Sequence, residues 1–254
     1  MTSRYQQVAD ALRAAILRGD YAPGETIPSQ AELCETYRVS RWTIRQAVAV
    51  LEREGLVTPV RKRGTVVRNR HPVRLPLSRY SAALSPGGRL GPWETACERQ
   101  GIDGRAEVVG VRRLAAPADI AALLEVEEGT TVVYRRRHMW ARDRVAQVQE
   151  AWMPHDLVAG TPLARARKIV GGVYAMLAQL GHPPATVTET VRARLPTAEE
   201  ARVLGLGVGT PVLALERVTR DHQGVALEVL RAAADADRVE LLYDNLPLTP
   251  DETD

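Results

Sequence analysis

Ser40, Arg41, Thr43 and Arg45 set two hydroxyls and two guanidinium groups within six residues, just as Ile44, Ala47, Val48 and Leu51 begin to recur at helical spacing. Hydroxyls at the opening turn of a helix hydrogen-bond phosphate oxygens, and a guanidinium bridges O6 and N7 of guanine. The chemistry on offer is recognition of a duplex groove rather than the making or breaking of bonds. A second set lies downstream, where Arg61, Lys62 and Arg63 precede Gly64 and Thr65 between two β-branched runs.

The elements that must hold these groups are legible around them. Ser29 and Glu32 have capping-box spacing, which predicts a helix from Gln30 to about Tyr37. Residues 38–41 separate it from a second helix whose apolar stripe faces a core and leaves Arg41, Trp42, Arg45, Gln46 and Ala49 on the open side. Upstream, Tyr5, Val8, Leu12 and Ile16 form another stripe, which Gly19 ends. Residues 56–60 and 65–68 read as a hairpin with the basic loop at its tip. Three helices and a β-ribbon of this order are a winged helix-turn-helix, with Ser40, Arg41, Thr43 and Arg45 leading the recognition helix.

Charge follows the same partition. Residues 1–75 hold 13 Arg and Lys against 7 Asp and Glu, a net of +6, whereas the remainder holds 21 against 24, a net of −3. The positive charge sits on the part expected to meet phosphate. Lys62 and Lys168 are the only lysines, so position rather than residue type must carry each assignment. Other functions find little support. Cys34 and Cys97 have no neighbouring ligand pattern and read as free thiols. His71, His138, His155, His182 and His222 are scattered, and no nucleophile turn is present. No metal, cofactor or catalytic group is expected, and with no apolar run long enough to span a bilayer the expected compartment is the cytoplasm.

The 254 residues suit two domains. The expected partition is 1–68 for the winged helix, 69–77 for a proline-containing linker, 78–246 for a second domain and 247–254 for a tail. Within the second domain Ala121, Leu123, Leu124, Gly129, Thr130, Val132, Val133 and Arg137 recur, in identity or type, 80 residues later as Ala201, Val203, Leu204, Gly209, Thr210, Val212, Leu213 and Arg217. Each copy predicts a helix behind a proline (Pro117, Pro196), a strand, a turn and a strand. Residues 169–180 read as a helix, and 187–195, 225–230 and 239–243 as strands. The fold class is α+β with a largely antiparallel sheet, helices covering one face. Strand alternation puts Arg135, Arg137 and Met139 on one side and Arg136, His138 and Trp140 on the other. Tyr80, Trp93, Trp140 and Trp152 are candidates to close over a ligand or to fill the core.

Residues 4–68 resemble the amino-terminal domain of GntR-family bacterial transcription regulators, on the strength of 27–33, 39–47 and Gly64-Thr65-Val66-Val67. The resemblance implies that Ser29, Ser40, Arg41, Thr43, Arg45, Arg61, Lys62, Arg63, Gly64 and Thr65 contact DNA. Ala31 stands where many relatives carry an arginine. The second domain resembles the effector-binding (UTRA) domain of the HutC subfamily, a chorismate-lyase-like fold, through Arg137, Glu150-Ala151-Trp152-Met153-Pro154, residues 197–205, and Leu227-Glu228 before Asp237-Arg238. It implies a small-molecule effector held by Arg135, Arg137, Glu150 and Glu228. Met139, Gln149 and Ala234 replace the second arginine, the carboxylate and the tyrosine of phosphosugar-responsive members, which argues against an amino-sugar phosphate. The implied protein is a homodimeric repressor of a palindromic operator. Rival readings are a ligand-independent regulator and an enzyme with lyase-like chemistry. Arg137 with Glu228 has a structural alternative, a sheet-ordering salt bridge, and Arg217 reads as structural.

Overall fold

The computed structural model describes residues 3–60, 63–68, 72–76, 90–207 and 209–244. Arg61, Lys62, His71, Tyr80 and the tail at 247–254 lie outside them. The chain divides into two compact units, 1–71 and 72–254.

In the first unit α1 (Arg4–Arg18), α2 (Gln30–Tyr37) and α3 (Arg41–Arg53) precede a hairpin of β1 (Val57–Val60) and β2 (Gly64–Val67). Val8, Leu12, Leu33, Ile44, Ala47 and Leu51 form their shared core. Helix α2 opens with the expected capping box: Ser29 Oγ accepts from the Glu32 amide at 3.3 Å, and the Ser29 amide donates to Glu32 Oε2 at 2.7 Å. In the hairpin Val60 faces Gly64 and Val57 faces Val67. The ribbon is pinned to the connection before α2, because the Ile27 amide donates to the Thr65 carbonyl and the Val67 amide to the Glu25 carbonyl.

The second unit contains β3 (Val73–Pro76), α4 (Pro92–Glu98), β4 (Gly104–Ala115), α5 (Ala118–Leu124), β5 (Thr131–Ala141), β6 (Arg144–Pro154), α6 (His155–Val158) and α7 (Gly172–Gln179). It continues with β7 (Pro184–Arg194), α8 (Ala198–Leu204), β8 (Val212–Asp221), β9 (Ala226–Asp235) and β10 (Val239–Leu242). Six strands make one antiparallel sheet in the order β4-β5-β6-β9-β8-β7. That order is the internal repeat made visible. Strand–helix–strand–strand occurs twice, the copies meet at β6 and β9, and Glu150 faces Arg231 across the seam.

Two expectations are corrected. Residues 73–76, assigned to the linker, form β3, which pairs in parallel with β10 and buries Val73 and Leu75. Pro72 and Pro76 disguise this strand, yet Pro76 sits at its end, where a missing amide costs least. Helices also cover both faces of the sheet rather than one. Trp93 and Cys97 of α4 pack on one face beside Met139 and Leu230, joined there by Val173 and Leu177 of α7. Ile120 of α5 and Leu204 of α8 pack on the other, against Trp152 and Val148 respectively. Both faces of β5 and β6 are therefore buried, and the bulky side chains of β5 and β6 on each side reflect this.

Candidate nucleic-acid interface and ligand cavity

Helix α3 starts at a serine cap. Ser40 Oγ accepts from the Thr43 amide at 3.2 Å and lies 2.9 Å from Thr43 Oγ1, so both hydroxyls hold the first turn that presents Arg41. Arg41 and Arg45, one turn apart, are exposed and make no hydrogen bond or ion pair among the described residues. Their guanidinium groups are left for an outside acceptor. Ser29 spends its side-chain oxygen and its amide on the α2 cap, and its hydroxyl also helps hold the Glu32 carboxylate below the usual carboxylate range. Arg63 Nη2 donates to the Gly24 carbonyl at 2.7 Å, tying the wing to the α1–α2 connection. Gly64 has φ +105°, a conformation that side chains rarely adopt, and it turns the ribbon next to Arg63. Thr65 is half-buried beside it.

In the second unit the face of the sheet beneath α4 and α7 carries a cavity with about 970 Å³ of space outside protein atoms, part of it open to solvent. Arg137, Met139, Gln149, Arg217, Glu228 and Trp93 are among its lining residues. Glu228 is 1% exposed and neither carboxylate oxygen has a hydrogen-bond partner. Its nearest cation is Arg217, whose Nη2 is 3.8 Å away and whose Nη1 is 3.9 Å from Glu189. Arg217 also lies over the Tyr174 ring, and the Tyr174 hydroxyl sits 2.9 Å from that of Thr219. Arg137 has no hydrogen bond or ion pair among the described residues; burial lowers its guanidinium pKa, and the Glu228 charge opposes that shift. The structural alternative for this pair, an Arg137–Glu228 salt bridge, does not form among the described residues.

The other two expected effector residues are engaged by the protein itself. Arg135 is 1% exposed and lines the cavity, but its guanidinium donates to the carbonyls of Leu163 (2.6 Å), Arg165 (2.8 Å) and Arg167 (3.1 Å). Burial, then the neighbouring Arg137, bring its pKa down to about 10, which keeps it charged near neutrality. Arg135 is the anchor of the loop that rims the cavity. Glu150 directly follows the cavity-lining Gln149 on β6, so it falls on the opposite face, accepting from the Tyr134 hydroxyl at 2.5 Å. Trp140 and Trp152 face that side too, and of the candidate aromatics among the described residues only Trp93 lines the cavity.

Several lining residues had no clear signal in the sequence. Arg217 was marked by the repeat as the counterpart of Arg137, but its proximity to Glu228 depends on the pairing of β8 with β9. Glu189, Tyr174 and Gln147 reach the cavity from three further elements. Gln149 Nε2 donates to Gln147 Oε1 at 2.8 Å. At the rim Lys168 meets Glu94 at 2.6 Å, joining the anchored loop to α4. Among the described residues no cluster of His, Cys, Asp or Glu has the arrangement of a metal site, and no helix is long and apolar enough to cross a membrane.

Comparison with known proteins agrees with both halves. Residues 4–67 match the family described as bacterial regulatory proteins, gntR family, and residues 99–240 match the UTRA domain. An HTH-type transcriptional regulator of Streptomyces coelicolor is 30% identical over 252 residues, covering 95% of this chain and 92% of that protein. The HTH-type transcriptional repressor PhnF of Mycolicibacterium smegmatis is 27% identical over 216 residues, 85% of this chain and 82% of its own. The crystal structure of PhnF superposes with a TM-score of 0.62 at 26% identity, covering 95% of this chain and all of that one. A crystal structure of another GntR-family regulator gives 0.64 at 29% identity, with 98% and 99% coverage. The chain belongs to the GntR family: it is a DNA-binding transcriptional regulator with the HutC-type order of a winged helix-turn-helix followed by a UTRA domain.

Proposed function

We propose that this regulator is a homodimeric repressor whose α3 enters the major groove of a palindromic operator, and that a small molecule in the second unit's cavity releases it. Arg41 and Arg45 read base edges; Ser29, Ser40, Thr43, Arg63, Gly64 and Thr65 contact the backbone and neighbouring groove, joined by Arg61 and Lys62. The observation that carries the effector reading is Glu228, a buried carboxylate with neither oxygen hydrogen-bonded and only a long 3.8 Å ion pair to Arg217, sharing a cavity with the guanidinium of Arg137. A buried carboxylate without hydrogen-bond donors is costly, and a ligand that supplies them recovers that cost. The matching ligand has an anionic group for Arg137 and hydroxyl or ammonium donors for Glu228, with an apolar part against Trp93, Met139 and Leu215. The uncapped amino end of α7, which opens on the same cavity, favours an anion as well. Two relatives, PhnF and the NagR of Bacillus subtilis, are named repressors, which supports the sign of regulation.

The test is fluorescence anisotropy of the full chain on a duplex from its own upstream region, titrated with phosphate esters and carboxylates that bear hydroxyl or amino groups. One class of compound should weaken DNA binding about 5- to 150-fold, the usual range of coupling between two sites. Arg137→Ala and Glu228→Ala should bind DNA as before and lose the response. If no compound weakens binding, or both variants still respond, the cavity is not the effector site.

A further inference from the structure

Trp42 is the second residue of α3 and 62% exposed, and it makes no ring contact or hydrogen bond among the described residues. The protein's other tryptophans are placed differently. Trp93 and Trp152 are 5% and 8% exposed, and Trp140 carries Arg105 over its ring at 4.2 Å while donating to Glu107. Trp42 stands between Arg41 and Thr43, three residues before Arg45, on the side of α3 that turns away from Ile44, Ala47 and Leu51. The opening turn of a recognition helix is the part that meets base edges. An indole has a single N–H donor and no acceptor, so what it mainly brings to a base edge is apolar area. The major groove offers one apolar group, the C5 methyl of thymine.

We infer that Trp42 is a specificity-determining residue that packs on a thymine methyl in each half-site, beside the bases read by Arg41 and Arg45. This rests on the groove placement of α3 proposed above. Arg41 and Arg45 read hydrogen-bond acceptors, and Trp42 adds a shape requirement that neither arginine imposes.

The experiment selects duplexes from a random-sequence pool with the full-length wild type, Trp42→Ala and Trp42→Phe. Wild type should enrich a thymine at one position per half-site, Trp42→Phe should retain that preference, and Trp42→Ala should lose it while keeping the others. Deoxyuridine at that position, which removes only the methyl, should weaken wild-type binding about fourfold (~0.8 kcal/mol per methyl-sized group) and leave Trp42→Ala unaffected. Identical preferences in wild type and Trp42→Ala, or an equal deoxyuridine penalty in both, overturn the inference while leaving the regulator intact. A wild type that enriches no sequence overturns it together with the groove placement. Circular dichroism of the variants should show unchanged folding, since an exposed side chain contributes little to the core.

Discussion

Arg45 is exposed, makes no hydrogen bond or ion pair among the described residues and lies one turn beyond Arg41, so the proposed role of base reader puts its worth outside the protein. Arg45→Ala should leave folding unchanged, cost about 1–3 kcal/mol of operator binding and relax the preference at one base pair. Anisotropy on single-base operator variants checks this, and a uniform loss across all of them would make Arg45 a phosphate contact instead. Cys97 shows how burial silences a reactive group. Its thiol is fully buried and pushed up to about 12, chiefly by desolvation, so very little thiolate exists near neutrality. Half-buried Cys34 should therefore react alone when the native chain meets a thiol reagent, with Cys97 following only on unfolding. Gly104 adds to that confinement, because a Cβ there would lie 2.4 Å from both Cβ and Sγ of Cys97. Gly104→Ala should destabilise the second unit by about 1–3 kcal/mol in urea unfolding, the usual cost of overpacking.

The loop between α6 and α7 has little regular structure, and Arg135 supplies the order that hydrogen-bonded ladders supply elsewhere. Arg135→Met keeps much of the volume but strands three carbonyls, so it should cost about 2–4 kcal/mol in denaturant unfolding and free the rim that holds Lys168. A variant as stable as wild type would show that water replaces the guanidinium without loss. At this scale the sequence was most informative where local rules decide the outcome. The α2 boundaries follow from the Ser29–Glu32 box, the end of α1 from Gly19, and the twice-repeated order of helix, strand and strand from the 80-residue repeat. It was least informative where a distant segment decides. Whether Arg135 meets a ligand or a loop depends on where residues 163–167 return, and nothing local encodes that. Glu150 was placed with the effector by resemblance alone, although strand alternation from Gln149 puts it on the other face. β3 was missed because its partner, β10, is more than 160 residues away.

Across the whole molecule, positive charge is concentrated in the first unit and the buried carboxylate without hydrogen-bond donors in the second, so the two chemistries are separated along the chain. Communication between them has to be a free-energy coupling, because a ligand with equal affinity for the DNA-bound and released arrangements would change nothing however tightly it bound. That coupling is reciprocal. If a compound weakens operator binding by some factor, saturating operator must weaken the compound's own binding by the same factor. Calorimetric titration of such a compound into the free chain and into the chain on its duplex measures this second factor, while anisotropy measures the first. Equal factors, abolished together by Arg137→Ala, identify the cavity as the coupled site. A compound that displaces DNA yet binds free and DNA-bound protein equally well must compete elsewhere, for instance for the cationic groups around α3, and its effect should then survive in the Arg137→Ala variant and fade as salt screens those charges.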